Sequence, residues 1–266
     1  MKIAHISDIH WGKSWMFDME SLDKGIERVK KVEPDMMLIT GDVTDTGLEF
    51  EYEGIRDYLD ATGIPYRAVP GNHDAQYTGY RHFERLFCKN RKRFFTEEIG
   101  NYNIIGLDSS EPDIAEGHIG REGLRWLEDA LTSSEKIPII MLHHHLIPVP
   151  NVGRERNVLV DAGATLLMIN KYRVPLVLTG HKHFPWMWKL NHTVVSNAGT
   201  ISSERRSCPT SFTTIELDGN GFTIEWFEVK GDRSQIINTF AYPDQMTIGF
   251  PLNNEEYCTD DEGRMD

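Results

Sequence analysis

The sequence predicts an α/β (α+β) fold, a two-layer mixed β-sandwich in which two sheets stack face to face with α-helices outside. Three observations carry that expectation. Strand-like and helix-like segments alternate through roughly the first seventy residues, the pattern of crossover units and a largely parallel core. After His183 the pattern changes to strand pairs joined by short turns, which predicts an antiparallel part of a second sheet. Five of the apolar runs end in Asp, His or Asn beside a small residue, where ligands sit in open α/β sheets.

The elements follow in order. Lys2 to Ser7 reads as a strand stopping at Asp8, Ile9, His10, and Leu22, Ile26 and Val29 recur at helical spacing until Pro34. Met36 to Thr40 is a second strand, delivering Gly41 to Asp45. Leu48, Tyr52, Ile55 and Leu59 mark another amphipathic helix, ended at Gly63, and the strand Pro65 to Val69 delivers Pro70 to Asp74. Tyr80 to Phe87 reads as a short helix, and Arg93 to Ile99 with Tyr102 to Leu107 as a strand pair turning at Gly100 and Asn101. Arg121 to Leu131 is helical, Ile137 to Leu142 is a buried strand delivering His143 to His145, and Val158 to Ile169 reads as a helix. The strand Val174 to Leu178 then leads into Thr179, Gly180, His181, Lys182, His183. Trp186 to Leu190 pairs with Thr193 to Ser196, and Ser211 to Leu217 with Phe222 to Val229.

The totals bound the function. A chain of 266 residues, 39% hydrophobic and 26% charged, can bury one sizeable core. One domain is expected over residues 1–243, followed by an acidic extension, 244–266, read as a loosely held tail. A net charge of −13 argues against coating a nucleic acid, yet it permits a small anionic substrate where bound cations reverse the local field. Cys88, Cys208 and Cys258 are too scattered for a disulfide framework and read as free thiols. With no leader and no apolar run long enough for a bilayer, the expectation is a cytoplasmic protein without a membrane partner.

Isolated, each polar cluster has an innocent reading: Asp8-Ile9-His10 as a strand-end cap, Gly71-Asn72-His73-Asp74 as a turn, the histidine run as a buried polar patch. Their recurrence at successive strand ends is what that account does not supply. Two divalent ions need about eight donor positions, one shared, and a carboxylate can span both. Asp42 is the natural bridge; Asp8, His10 and His183 would complete one ion, and Asn72, His143 and His181 the other. Mixed nitrogen and oxygen donors suit Mn, Fe, Zn or Co better than Ca. Such a pair can hold a hydroxide between them for in-line attack on phosphorus, with His73 as proton donor to the leaving oxygen. Asp45 and Asp74 are read either as orienting groups or as turn and capping residues.

Asp8-Ile9-His10, Gly41-Asp42-Val43-Thr44-Asp45, Gly71-Asn72-His73-Asp74, the His143 cluster and Gly180-His181-Lys182-His183 resemble, in order and spacing, the five motifs of the calcineurin-like metallophosphoesterases. The resemblance runs from Met1 to about Gly199, with lesser echoes at Gly117-His118-Ile119 and Asn197-Ala198-Gly199-Thr200. It implies an αββα sandwich, a dinuclear centre at the strand ends and hydrolysis of phosphate esters. The layout is most similar to the class III cyclic nucleotide phosphodiesterases and related small phosphodiesterases, whose likeness also suggests a homodimer. One departure stands out: where those relatives carry His-His-Pro or His-x-Pro, this chain has His143-His144-His145-Leu146-Ile147-Pro148. His143 is taken as the ligand, with His144 as the fallback.

The leading expectation is therefore a metal-dependent phosphodiesterase acting on a small nucleotide-like ester. The alternatives are a manganese-dependent nuclease of the same superfamily, disfavoured by the acidic balance, and a non-catalytic scaffold, disfavoured because every ligand type is present. Arg154, Arg156, Arg205 and Arg206 could grip a phosphate or serve as ordinary surface residues. Trp186 and Trp188 read as packing, and Asp108 as at most an orienting group.

Overall fold

The computed structural model describes residues 1–14, 17–152, 157–203, 208–231 and 233–242. In chain order the strands are β1 (Lys2–Ile6), β2 (Met36–Thr40), β3 (Tyr66–Val69), β4 (Phe95–Ile99), β5 (Tyr102–Gly106), β6 (Ile137–Met141), β7 (Leu176–Thr179), β8 (Trp186–Leu190), β9 (Thr193–Asn197), β10 (Ser211–Leu217), β11 (Gly221–Glu228) and β12 (Ser234–Ala241). The helices are α1 (Met19–Lys31), α2 (Glu49–Asp60), α3 (Gly79–Leu86), α4 (Gly120–Thr132) and α5 (Ala162–Lys171).

Two six-stranded sheets result, ordered β12-β11-β10-β1-β2-β3 and β4-β5-β6-β7-β9-β8. Both are mixed. β1, β2 and β3 are parallel, as are β5, β6, β7 and β9, while the remaining pairings are antiparallel. Strands buried on both faces must be apolar throughout, which is why β2 reads Met-Met-Leu-Ile-Thr without alternation.

Three apolar clusters correspond to the gaps between the layers. Ile3, Leu38, Ile139, Leu178 and Ile215 lie between the sheets. Leu22, Ile26, Val29, Tyr52, Ile55 and Leu59 close α1 and α2 onto the outer face of the first sheet. Leu127, Ala130 and Ile169 close α4 and α5 onto the second. Each fully buried aliphatic side chain contributes roughly 1.5–3 kcal/mol, so the helical periodicity in the sequence is the energetic reason these helices dock. α1 starts where Asp18 accepts from Glu20 N at 3.1 Å and from Ser21 Oγ at 2.5 Å, an N-cap.

The sandwich and its outer helices agree with the sequence reading, but three particulars differ. The antiparallel strands after His183 do not all join the second sheet: β8 and β9 do, whereas β10 and β11 pair onto β1 of the first. Hairpin signals define a local pairing and are silent about which sheet edge receives it. β12, absent from the sequence reading, extends the first sheet through an irregular register at Ile224 and Glu225, which breaks the alternation that would have announced it. α5 begins at Ala162 and not at Val158, because Leu159 bridges to Gly117 and the Asp161 carboxylate accepts from Ile119 N and Gly120 N. Trp188 packs with the outer cluster and donates to the Pro148 carbonyl, in line with a packing role. Arg93 pairs with Asp108 at 2.5 Å, tying the strand end of β5 to the segment before β4. Arg154, Arg156, Arg205, Arg206, Cys258 and the extension 244–266 lie outside the described residues. Among the described residues no helix is long and apolar enough to cross a membrane.

Because Ile215 is fully buried between the sheets, Ile215→Ala should destabilise by about 2–5 kcal/mol in urea unfolding. The exposed neighbour Glu216→Ala should stay within about 0.5 kcal/mol.

Candidate metal centre

The parallel strands of both sheets point their carboxyl ends the same way, so the segments after β1, β2, β3, β6 and β7 meet at one end of the sandwich. Backbone bonds join these segments directly: Asp8 N donates to Gly41 O (3.1 Å), His10 N to Asp42 O (2.9 Å) and Gly180 N to His143 O (2.9 Å). Asp8, His10, Asp42, His181 and His183 all have positive φ, between 49° and 73°. That is the left-handed region, which non-glycine residues enter at a cost of roughly 1–3 kcal/mol each and which clusters at functional sites. Side chains are thereby turned off the strand axis toward a common point.

Close approach is secured by glycine. A Cβ on Gly71 would stand 2.1 Å from Asp42 Oδ1, and one on Gly180 would stand 2.0 Å from Ser7 Oγ. Only a hydrogen fits in either place.

Among the described residues donor atoms gather in three groups, Asp8 with His10, Asp42 and His183, His143 with His144 and His181, and His10 with Asp45 and His73, of which the first two hold the predicted carboxylate and histidine ligands. Asp8, His10, Asp42 and His183 form the first, all four buried. His10 Nε2 lies 3.0 Å from His183 Nε2 and 3.6 Å from Asp42 Oδ2. His183 Nε2 lies 3.1 Å from Asp8 Oδ1, yet that oxygen has no hydrogen-bond donor and neither do the Nδ1 atoms of His10 and His183. The second cluster gathers His143 Nε2 with Asn72 Oδ1 (3.2 Å), His181 Nδ1 (3.2 Å) and Asp42 Oδ2 (3.3 Å). His143 Nδ1 is 2.7 Å from the Thr40 carbonyl, an acceptor only, so the proton of a neutral ring sits on Nδ1. Its Nε2 lone pair then faces two oxygens and another imidazole nitrogen. Two oxygens that only accept therefore call for a proton or a cation on Nε2.

Charge states agree with that reading. Burial alone would raise Asp8 and Asp42, but the imidazoles of His183 beside Asp8 and of His143 and His73 beside Asp42 hold both carboxyls below the usual range. Burial drives His10 and His181 well below an ordinary histidine, leaving them neutral. His143 is the exception: burial opposes its charge, but Asp42 overrides this and holds it up at about 9, so a proton supplies the positive charge that Asp42 requires. Ionised carboxylates and neutral imidazoles are the forms that bind transition metals, with the His143 Nε2 proton the one to be displaced. The residues present therefore fit a pair of metal ions.

Every predicted site residue is brought to this end of the molecule. Asp42 stands between the clusters, as expected of a bridge. Between the two histidine options, His144 is otherwise engaged: Nδ1 meets Ser109 Oγ at 2.9 Å and Nε2 meets the Ala115 carbonyl at 3.2 Å. Its ring stays neutral, pushed down to about 3 by burial and by His143. That engagement favours His143. His145 stacks on His181 with ring centroids 5.7 Å apart. His73 is 23% exposed at the rim of the first cluster. Its Nδ1 donates to the Asp45 carbonyl at 2.6 Å, leaving Nε2 as its free nitrogen.

Asp74 acts as an orienting group. It accepts from Gly71 N (2.9 Å), Val43 N (3.1 Å), Thr44 N (2.9 Å) and Thr44 Oγ1 (2.7 Å), which locks the segments after β2 and β3 together. Burial and the charge of Asp42 nevertheless push its carboxyl up to about 6. Sequence reasoning missed the hydroxyls of Ser109 and Ser202, and had Thr200 only as the end of the Asn197-Ala198-Gly199-Thr200 echo, with no role. For Ser202 the signal was its place in Thr200-Ile201-Ser202-Ser203, just beyond that echo.

The family model for calcineurin-like phosphoesterases matches residues 1–185. The chain belongs to that family. Among curated relatives, a 3',5'-cyclic-nucleotide phosphodiesterase of Nostoc sp. is 32% identical over 193 residues, covering 69% of this chain and 71% of the relative. A probable glycerophosphodiester phosphodiesterase of Arcobacter nitrofigilis is 30% identical, covering 65% of this chain and 66% of its own. Among solved structures, a dimetal phosphatase from Danio rerio superposes with a TM-score of 0.71 at 11% identity, covering 91% of this chain and 99% of that one, which shows the shared fold. The protein is thus a metal-dependent phosphoester hydrolase, and the family together with the two clusters indicates a dinuclear site.

Removing the Asp74 clamp leaves buried backbone donors without an acceptor. For the phosphoesterase, Asp74→Ala should cost about 2–4 kcal/mol in chemical denaturation, and Asp74→Asn, which keeps one acceptor oxygen, measurably less.

Proposed function

We propose that the phosphoesterase hydrolyses a phosphodiester bond of a small nucleotide-like substrate, a cyclic nucleotide being the leading candidate. Asp8, His10, Asp42 and His183 would hold one metal ion, and Asn72, His143, His181 and Asp42 the other. The observation that carries this reading is the orientation of His143: with Nδ1 committed to the Thr40 carbonyl, its Nε2 faces Asn72 and Asp42 across a point that suits a cation. The Nostoc and Arcobacter relatives, named for diester substrates, support the diester over the monoester.

Two ions of Mn, Fe, Zn or Co bound there would supply Lewis acidity toward the phosphoryl oxygens and acidify water. The chain's own groups perform the rest. Asp42, ionised and buried, fixes the spacing of the two clusters. His73, held by the Asp45 carbonyl and by its own backbone N–H to Asp42 Oδ1 (2.9 Å), keeps Nε2 free at the rim. Because Nδ1 already carries a proton, Nε2 donates only from the imidazolium form of His73, and that second proton would pass to the departing ester oxygen as the phosphorus–oxygen bond breaks. No side-chain nucleophile is required, since water supplies the incoming oxygen.

A side-by-side assay of 3',5'-cyclic AMP, bis(4-nitrophenyl) phosphate and 4-nitrophenyl phosphate, each with manganese, iron, zinc or cobalt, tests the reading. Turnover of the diesters is expected to exceed that of the monoester; no hydrolysis of any of them after full metal loading would refute it. End-labelled DNA with manganese is expected to persist, and its degradation would favour the nuclease.

Two variants separate holding from chemistry. Asn72→Ala should lower the bound metal content, read by elemental analysis, along with activity. His73→Gln should retain both metals while kcat falls by roughly 10²–10⁴.

A further inference from the structure

The loop after β9 reaches back across the sequence to the loop after β1. Thr200 Oγ1 lies 2.8 Å from the Asp8 carbonyl, and Ser202 Oγ donates to the Ile9 carbonyl. The direction of the first bond is fixed by its surroundings. Ser203 N (3.0 Å) and Ser202 N (3.3 Å) both donate to Thr200 Oγ1, so the hydroxyl proton is left to go to Asp8. Both carbonyls lie between the left-handed residues Asp8 (φ 54°) and His10 (φ 50°), whose side chains enter the first donor cluster.

The donor loop is itself held rigidly. Thr200 and Ser202 are buried. Ser211 N donates to Thr200 O at 2.8 Å and Asp18 N to Ser202 O at 3.0 Å. Ile201, fully buried, packs so closely on α1 that a Cβ on Gly25 would stand 2.6 Å from it. A fixed pair of hydroxyls thus grips a strained stretch of backbone from outside the five sequence motifs.

We propose that Thr200 and Ser202 are positioning residues for the Asp8, His10, Asp42 and His183 cluster, holding Asp8 and His10 in the left-handed conformation from which both reach the same ion. This inference rests on the dinuclear reading above and deepens it. Without the hydroxyls, the backbone of Asp8 and His10 keeps only its bonds from Asp8 N to Gly41 O and from His10 N to Asp42 O, and its relaxation toward ordinary angles shifts both donors off the ion. Among the described residues neither hydroxyl bonds to Asn72, His143 or His181, and the second cluster meets this stretch only indirectly, through His181 N donating to Asp8 Oδ2 at 3.0 Å, so it should be disturbed less than the first.

The test titrates Co²⁺ into the metal-free full chain and follows the visible absorption of the two bound ions. Thr200→Val keeps side-chain size and removes the hydroxyl, Thr200→Ser restores it, and Ser202→Ala removes the second. Thr200→Val and Ser202→Ala are expected to weaken one of the two binding events by about 10- to 100-fold, with Thr200→Ser close to wild type. The weakened event should be the one abolished by His10→Ala and not the one abolished by Asn72→Ala. Unchanged Co²⁺ affinities, equal weakening of both events, or loss of the Asn72 event would overturn the proposal. Should Thr200→Val fail to fold, Ser202→Ala decides by the same criteria. A wild-type chain that takes up no Co²⁺ would remove the dinuclear reading as a whole, whereas normal uptake in the hydroxyl variants would remove only this inference.

Discussion

A carboxylate buried at the meeting point of two sheets is the constraint around which the molecule is arranged. Asp42 is 1% exposed, and an ionised group so deep needs compensating charge or a dense set of donors. Its Oδ1 accepts from His73 N, while its Oδ2 faces the imidazoles of His10 and His143. Neutral histidines do not by themselves meet the demand. The strong upward pull of Asp42 on His143 expresses the same need, and a divalent cation on each side satisfies it more fully than one proton.

Meeting that constraint requires side chains to leave their strands at angles that regular strands do not offer. The left-handed turns at Asp8, His10, Asp42, His181 and His183 provide those angles. Their summed strain, at roughly 1–3 kcal/mol per residue, is comparable to the whole net stability of an ordinary domain. It persists because rigid surroundings over-determine it: three apolar layers fix the strands, Asp74 binds the segments after β2 and β3, and serine and threonine hydroxyls hold the backbone after β1. Left-handed non-glycine residues also occur in turns elsewhere, among them Glu33, Arg173 and Asn191, but none lies within a strand of the described residues.

Much of this was legible in the sequence, for identifiable reasons. β2 and β6 are short apolar runs that stop at a polar residue, so both strand and donor were visible in a handful of letters. The grouping of Asn72 with His143 and His181 was an expectation, and the structure brings Asn72 and His181 each to 3.2 Å from His143. What stayed hidden depends on long-range geometry. Nothing in Ser211–Leu217 says that it pairs antiparallel with β1, because either sheet would accept its alternation. Asp161 resembles an ordinary helix start, yet it spends its carboxylate on α4. His144 stayed a fallback beside His143 in the sequence because their partners, the Thr40 carbonyl for one and Ser109 for the other, come from distant segments.

The donor residues are divided between the two sheets. Asp8, His10, Asp42 and Asn72 follow strands of the first sheet, and His143, His181 and His183 follow strands of the second. Each cluster thus draws on both sheets: His183 meets Asp8 across the gap, and His143 meets Asp42 and Asn72. The separation of the sheets is set by Ile3, Leu38, Ile139, Leu178 and Ile215 packed between them. Close-packed interiors transmit a change of even one methylene as a displacement, and metal coordination tolerates only a few tenths of an ångström. The inter-sheet side chains therefore set how far apart the two halves of the site stand, although none of them belongs to either donor cluster.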